Sequence, residues 1–120
     1  MKILLVDDNP AMRSLSRRYL QQAGLAPGEI EEAADGAEAL RRIDTAPPDL
    51  ILSDWNMPRL SGIELLETLT QRGSTISFVL MSTDTTPEMR VRAAAAGARC
   101  FITKPFTAES LISALADLLR

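Results

Sequence analysis

Four short runs along the chain are wholly apolar: Ile3-Leu4-Leu5-Val6, Leu50-Ile51-Leu52, Phe78-Val79-Leu80-Met81 and Phe101-Ile102. None alternates with polar residues, so none leaves a face for water. Runs of this kind suit strands covered on both sides, as in parallel sheets. A fifth and weaker run, residues 29–33, carries Glu29, Glu31 and Glu32. Its charge places it at a sheet edge.

Helical patterns fill the intervals. The first is expected to start at Asn9-Pro10, a cap residue followed by the one residue that needs no helical N–H. Met12, Leu15, Tyr19 and Leu20 fall on one face, and Ala23-Gly24 is the expected stop. A second begins at Asp35, where Glu38 three residues on resembles a capping box, and it stops at Pro47-Pro48. A third begins at Ser61 with Glu64, a fuller capping box, and ends near Gly73. A fourth runs from Thr86-Pro87 to Gly97, and a fifth runs from Thr107 through Leu111, Ile112, Leu115, Leu118 and Leu119 to the C-terminus. Strand and helix thus alternate five times, which predicts an α/β domain, a (βα)5 parallel five-stranded sheet doubly wound with helices on both faces. No linker or low-complexity stretch divides it, so residues 1–120 are expected to form a single domain.

Composition narrows the chemistry. The 120 residues carry 13 basic and 16 acidic groups and no histidine. Histidine-dependent hydrolysis, histidine-ligated zinc and a phosphohistidine carrier role are excluded. A mildly acidic chain lacks the basic face that nucleic-acid binding needs. Cys100 is the one cysteine, so no internal disulfide can form, and a reducing cytoplasm is the expected setting. The apolar run at the N-terminus is too short for a signal peptide, and no stretch nears the roughly 18 apolar residues of a membrane helix. A cytoplasmic protein with no membrane contact is expected.

The residues that follow each strand carry the chemistry. Asp7 and Asp8 follow Val6, Ser53 and Asp54 follow Leu52, Ser82, Thr83 and Asp84 follow Met81, and Thr103 and Lys104 follow Ile102. In a parallel sheet these ends share one edge, where ligand sites of open α/β sheets form. Singly, an aspartate there is a turn or cap former and Lys104 a solvated lysine. Together, three carboxylates against one ammonium leave about two surplus negative charges, which a divalent cation would neutralise. Hard oxygen donors without histidine or thiolate favour Mg²⁺. Such a site suits phosphoryl transfer, with a carboxylate as nucleophile. No GxxxxGK[ST] or GxGxxG segment is present to hold a nucleotide.

The acidic pair in Leu5-Val6-Asp7-Asp8-Asn9, the block Asp54-Trp55-Asn56-Met57-Pro58 with Ser61-Gly62, then Ser82-Thr83 and Lys104-Pro105-Phe106 together resemble response-regulator receiver domains of two-component signalling. The Asp-Trp-Asn-Met-Pro block is especially like the stand-alone chemotaxis response regulators of that family. The resemblance covers essentially the whole chain. It implies the flavodoxin-like strand order 2-1-3-4-5. It makes Asp54 the phosphoacceptor and gives Mg²⁺ the ligands Asp8, Asp54 and the backbone carbonyl of Asn56, with Asp7 acting through water. Lys104 would contact the phosphoryl group and pair with a carboxylate before it arrives. Thr83 would be the switch hydroxyl and Phe101 the aromatic switch residue, and Lys104-Pro105 would be a cis peptide. A sensor histidine kinase would be the phosphodonor, and an output protein would read the fourth helix, last strand and fifth helix.

The sequence departs from the family's pattern in three places. Phe101 stands where chemotaxis regulators carry tyrosine, and Asp84 follows Thr83 where a small residue is usual, adding charge at the pocket mouth. Ser82 beside Thr83 leaves two hydroxyls for the switch, with Thr83 favoured by its spacing to Lys104. Trp55 is expected at the pocket rim, partly exposed. Met57 and Met81 are assigned to packing, and Cys100 to a small buried position. Arg90 and Arg92 are expected to be solvated or on a partner surface. The function expected is a phosphorylation-dependent switch, either stand-alone or as the receiver module of a larger multidomain regulator. An aspartyl-phosphate hydrolase would need an acid two residues after the nucleophile, where Asn56 stands.

Overall fold

The computed structural model describes residues 1–119, and all five expected runs become strands: β1 (Ile3–Val6), β2 (Ile30–Ala33), β3 (Leu50–Asp54), β4 (Ser77–Ser82) and β5 (Cys100–Thr103). All pairings are parallel and the order is β2-β1-β3-β4-β5. The helices are α1 (Pro10–Gln22), α2 (Gly36–Thr45), α3 (Gly62–Gln71), α4 (Pro87–Ala96) and α5 (Ala108–Leu115). This is the flavodoxin-like (βα)5 arrangement, with β2 at one edge and β5 at the other.

Side chains alternate across the strands and so divide the core in two. Leu4, Val6, Ile51, Phe78 and Leu80 cluster with Ile43 of α2, Ile63, Leu66 and Leu69 of α3, and Ala93 of α4. Ile3, Leu5, Leu50, Leu52, Val79, Met81 and Ile102 cluster with Leu20 of α1 and Leu111 and Leu115 of α5. Both faces of the central strands are therefore apolar, which is why the sequence shows runs rather than alternation. Leu52 is fully buried, and truncating such a side chain to alanine costs about 2–5 kcal/mol.

The helix signals work locally. Asn9 accepts from the N–H groups of Ala11 (3.0 Å) and Met12 (3.3 Å), with Pro10 opening α1. Gly24 takes the left-handed conformation just past the α1 cap, at φ 103°. Ser61 and Glu64 form a reciprocal capping box on α3. At α2, Asp35 caps the Glu38 N–H at 2.8 Å, but the Glu38 carboxylate reaches back to Ala34 at 3.0 Å instead of to the cap residue. The fifth helix is shorter than expected. The Ala116 N–H turns to the Ser113 carbonyl, three residues back, and the Leu118 N–H to that of Leu115, so the regular helix tightens into a turn after Leu115. Leu118 and Leu119 still pack on the cluster that α1 and α5 cover, beside Leu115. Arg120, the last residue of the expected helix, lies outside the described residues.

Candidate functional site

Because the strands run parallel, their C-terminal ends deliver the polar residues to one edge. β1 leads into Asp7 and Asp8, β3 ends in Asp54, β4 leads into Thr83 and β5 into Lys104. These five, with Asn9, Met12 and Pro105, line a cavity of about 440 Å³. Carboxylate oxygens of Asp7, Asp8 and Asp54 lie within 4.8 Å of one another.

Lys104 bridges two of the three acids. Its Nζ stands 2.9 Å from Asp7 Oδ2 and 3.4 Å from Asp54 Oδ1, with all three side chains nearly or wholly buried. The lysine is joined to Pro105 by a cis peptide bond, as the family resemblance implies. Asp7 also accepts the Asn9 N–H at 2.9 Å, so both its oxygens are engaged. Asp8 is exposed and has no hydrogen-bond or ion-pair partner among the described residues. Burial pushes the Asp54 carboxyl above the usual aspartate range; Lys104 opposes this, and Asp7 and Asp8 reinforce it. The charge count is three carboxylates against one ammonium.

The backbone fixes Asp54 from the far side. The Trp55 N–H donates to the Met81 carbonyl, and the Gly62 N–H to the Trp55 carbonyl, each at 2.8 Å. At Gly62 a Cβ would overlap the Asp54 carbonyl oxygen, so α3 can start this close to β3 only with glycine there. Asn56 lies exposed in the following loop.

The two hydroxyls at the end of β4, Ser82 within the strand and Thr83 just past it, separate cleanly. Ser82 is fully buried, its Oγ accepting the Asp84 N–H at 3.1 Å, whereas Thr83 lines the cavity. Asp84, expected at the pocket mouth, is exposed and is not among the residues lining the cavity; its backbone N–H closes a turn onto Ser82. Cys100 opens β5 but is half-buried rather than buried, since β5 is an edge strand.

Trp55 also departs from expectation. It is only 8% exposed and belongs to the core cluster under α2, α3 and α4. Its ring stacks on Phe101, centroids 5.6 Å apart with 23° between planes. Arg90 is exposed, as expected, and its guanidinium also stands 5.3 Å over the Phe101 ring. Arg92 donates to both Glu67 carboxylate oxygens, from Nη2 at 2.9 Å and from Nε at 3.1 Å. Met81 and Met57 are packing residues, as expected. Sequence inspection passed over Arg13, whose guanidinium donates to the Asp7 carbonyl at 2.6 Å and to Glu32 at 3.1 Å. Its place one turn after the Asn9 cap is the signal that could have found it. Among the described residues no helix is long and apolar enough to cross a membrane.

Known proteins share this arrangement. The model of the response regulator receiver domain matches residues 3–116. The response regulator MprA of Mycobacterium avium is 37% identical over 120 residues, and that of Mycobacterium leprae 36%. The match takes in all of this chain but 51% of those proteins, so the chain spans about half the length of these curated relatives. The chemotaxis protein CheY4 of Vibrio cholerae superposes with a TM-score of 0.87 at 36% identity, covering 97% of this chain and 96% of that one. A Francisella response regulator receiver domain superposes with a TM-score of 0.88 at 30% identity, covering 98% and 94%. With the acidic edge, its lysine and the strand order in place, the chain belongs to the response-regulator receiver domain family of two-component signalling.

Proposed function

We propose that residues 1–120 act as one receiver domain whose Asp54 accepts a phosphoryl group, and that the aspartyl phosphate changes the surface offered to an output partner. The observation that carries this is the seat of Lys104 between Asp7 and Asp54, with Asp8 left free beside them. A structural salt bridge needs one carboxylate; the two further acids serve a cationic ligand and its anionic cargo.

The donor set fits Mg²⁺. It is all oxygen and clustered, and one member is unpartnered. Asp8, Asp54 and the Asn56 backbone carbonyl would hold the ion directly. Asp7, both of whose oxygens are already occupied, would reach it through water. When bound, the ion supplies positive charge against the phosphoryl oxygens.

The chain's own groups do the rest. An Asp54 carboxylate oxygen attacks phosphorus, and the O–P bond forms as the donor's P–N bond breaks, for a phosphohistidine of a sensor kinase. The imidazole leaves with the electron pair. With acetyl phosphate the broken bond is P–O and acetate leaves. Lys104 moves its ammonium from Asp54 onto a phosphoryl oxygen, and Thr83 donates its hydroxyl to another. Drawing Thr83 inward opens space that Phe101 fills, and the change reaches the face of α4, β5 and α5, where the output protein would bind. The chain's self-catalysed acceptance and hydrolysis are the only chemistry involved. The unpaired Cys100 thiol fits action in the cytoplasm.

The half-length match to the MprA proteins favours one variant of this function, in which the domain is the receiver module of a longer regulator and the output domain is covalently attached. The length of the encoded protein separates that case from a stand-alone switch.

The test is intact mass after incubation with acetyl phosphate and Mg²⁺. The wild type should gain one phosphoryl group, and Asp54→Asn or excess EDTA should abolish the gain. Equal gain in Asp54→Asn would overturn the assignment.

A further inference from the structure

Trp55 directly follows the proposed phosphoacceptor, and its peptide is pinned on both sides, to Met81 of β4 and to Gly62 of α3. Its ring is itself buried in the core, packed with residues of the β-strands, α3 and α4. On that fixed platform lies the Phe101 ring, 5.6 Å away and 23° from parallel. On Phe101 in turn lies the Arg90 guanidinium, at 5.3 Å. The three residues come from β3, β5 and α4, so one stack ties the phosphoacceptor's neighbour to the fourth helix.

That helix has little else to hold it on this side. Its buried residues are Ala93 and Ala96, both in its C-terminal half, whereas Val91 is 70% exposed. In the N-terminal half, only the half-buried Met89 packs on the core. Arg90 has no acidic partner among the described residues, while its neighbour Arg92 is paired with Glu67. A guanidinium that finds an aromatic face instead of a carboxylate gains attraction from the ring quadrupole. Phe101 has no hydroxyl, so stacking is the contact that fixes it.

We infer that Arg90 is a positioning residue: seated on the Phe101-Trp55 stack, it latches the N-terminal half of α4 in the resting arrangement and thereby sets how readily the switch turns over. This rests on the proposed role of Asp54. Movement of Phe101 breaks the stack on Trp55, the seat of Arg90, or both. The latch therefore opposes activation, and weakening it shifts the resting-to-active balance toward the active state. A ligand that selects the active state would then bind with greater apparent affinity.

The experiment titrates beryllofluoride with Mg²⁺ and follows Trp55 fluorescence. Arg90→Met keeps an unbranched stem and removes the charge; Arg90→Lys restores a cation. Arg90→Met should lower the half-saturating beryllofluoride concentration by about two- to five-fold, the range an exposed cation–π contact supports. Arg90→Lys should recover most of the wild-type value. Arg92→Met, two residues on and outside the stack, should leave the midpoint unchanged. Amide exchange at the N-terminal half of α4 should be faster in Arg90→Met without ligand, with no change in α3. An unchanged midpoint in Arg90→Met, or an equal shift in Arg92→Met, overturns the latch. Wild-type uptake of a phosphoryl group from acetyl phosphate is measured alongside: its absence defeats the role of Asp54, and its presence with an unchanged Arg90→Met midpoint defeats the latch alone.

Discussion

Asp54 is held in place by atoms that do no chemistry. Ser53 Oγ donates to the Asp54 carbonyl at 3.0 Å, and Gly62 approaches the same carbonyl too closely for any side chain. A Cβ at residue 62 would also stand only 2.9 Å from Ser53 Oγ. Gly62→Ala should therefore cost about 1–3 kcal/mol, read as a lower denaturation midpoint at constant m-value. A loss too small to measure would mean that the α3 start shifts freely. Asp35 makes a second residue-scale case. The Glu38 N–H, and then the Arg59 guanidinium at 2.8 Å, hold its carboxyl below the usual aspartate range. A depressed folded-state pKa contributes stability that is present above the unfolded value of about 3.9 and lost as pH falls through the folded value. Asp35→Asn keeps a cap but loses the charge, at a cost of roughly 1 kcal/mol near pH 7. The gap in melting temperature between wild type and Asp35→Asn should close below about pH 4; a gap that persists or widens in acid contradicts the assignment.

The helices differ in how firmly they are anchored. α3 buries Gly62, Ile63, Leu65, Leu66 and Leu69, while α4 buries only Ala93 and Ala96. Few buried apolar contacts mean cheap local opening, so α4 amides should exchange faster than α3 amides under native conditions. Equal protection would show that α4 is not the mobile element. Much of this level was legible in the sequence, because caps act over three residues: Asn9-Pro10, Ser61 with Glu64, and Thr86-Pro87 start their helices where expected. The end of α5 was not legible. Leu118 and Leu119 keep the apolar pattern going while the backbone tightens beneath them, and no residue type marks that change. The burial of Trp55 was hidden for a different reason. Its ring partner Phe101 lies some way off in the chain, and only the fold brings the two together.

Across the whole molecule, the parallel sheet was legible from the unbroken apolar runs, and the convergence of Asp7, Asp8, Asp54, Thr83 and Lys104 followed from it. The strand order came from the resemblance to receiver domains; run lengths alone do not order strands. Which hydroxyl faces the cavity needed the structure, because a one-residue change of register exchanges Ser82 and Thr83. The surplus charge at this edge should couple metal to stability. At a hundred times its dissociation constant, Mg²⁺ should stabilise the fold by about 2.7 kcal/mol. Asp8→Asn should melt higher than wild type without metal and lose most of the Mg²⁺ effect; an undiminished Mg²⁺ effect would place the ion elsewhere. The most direct measurement is chemical mapping of the phosphoryl group. The protein is phosphorylated with acetyl phosphate and Mg²⁺ and treated with borohydride, which reduces an aspartyl phosphate to homoserine, and its peptides are then weighed. Homoserine at position 54 alone is the expected result; homoserine at position 7 or 8, or at no aspartate, would contradict the assignment of Asp54.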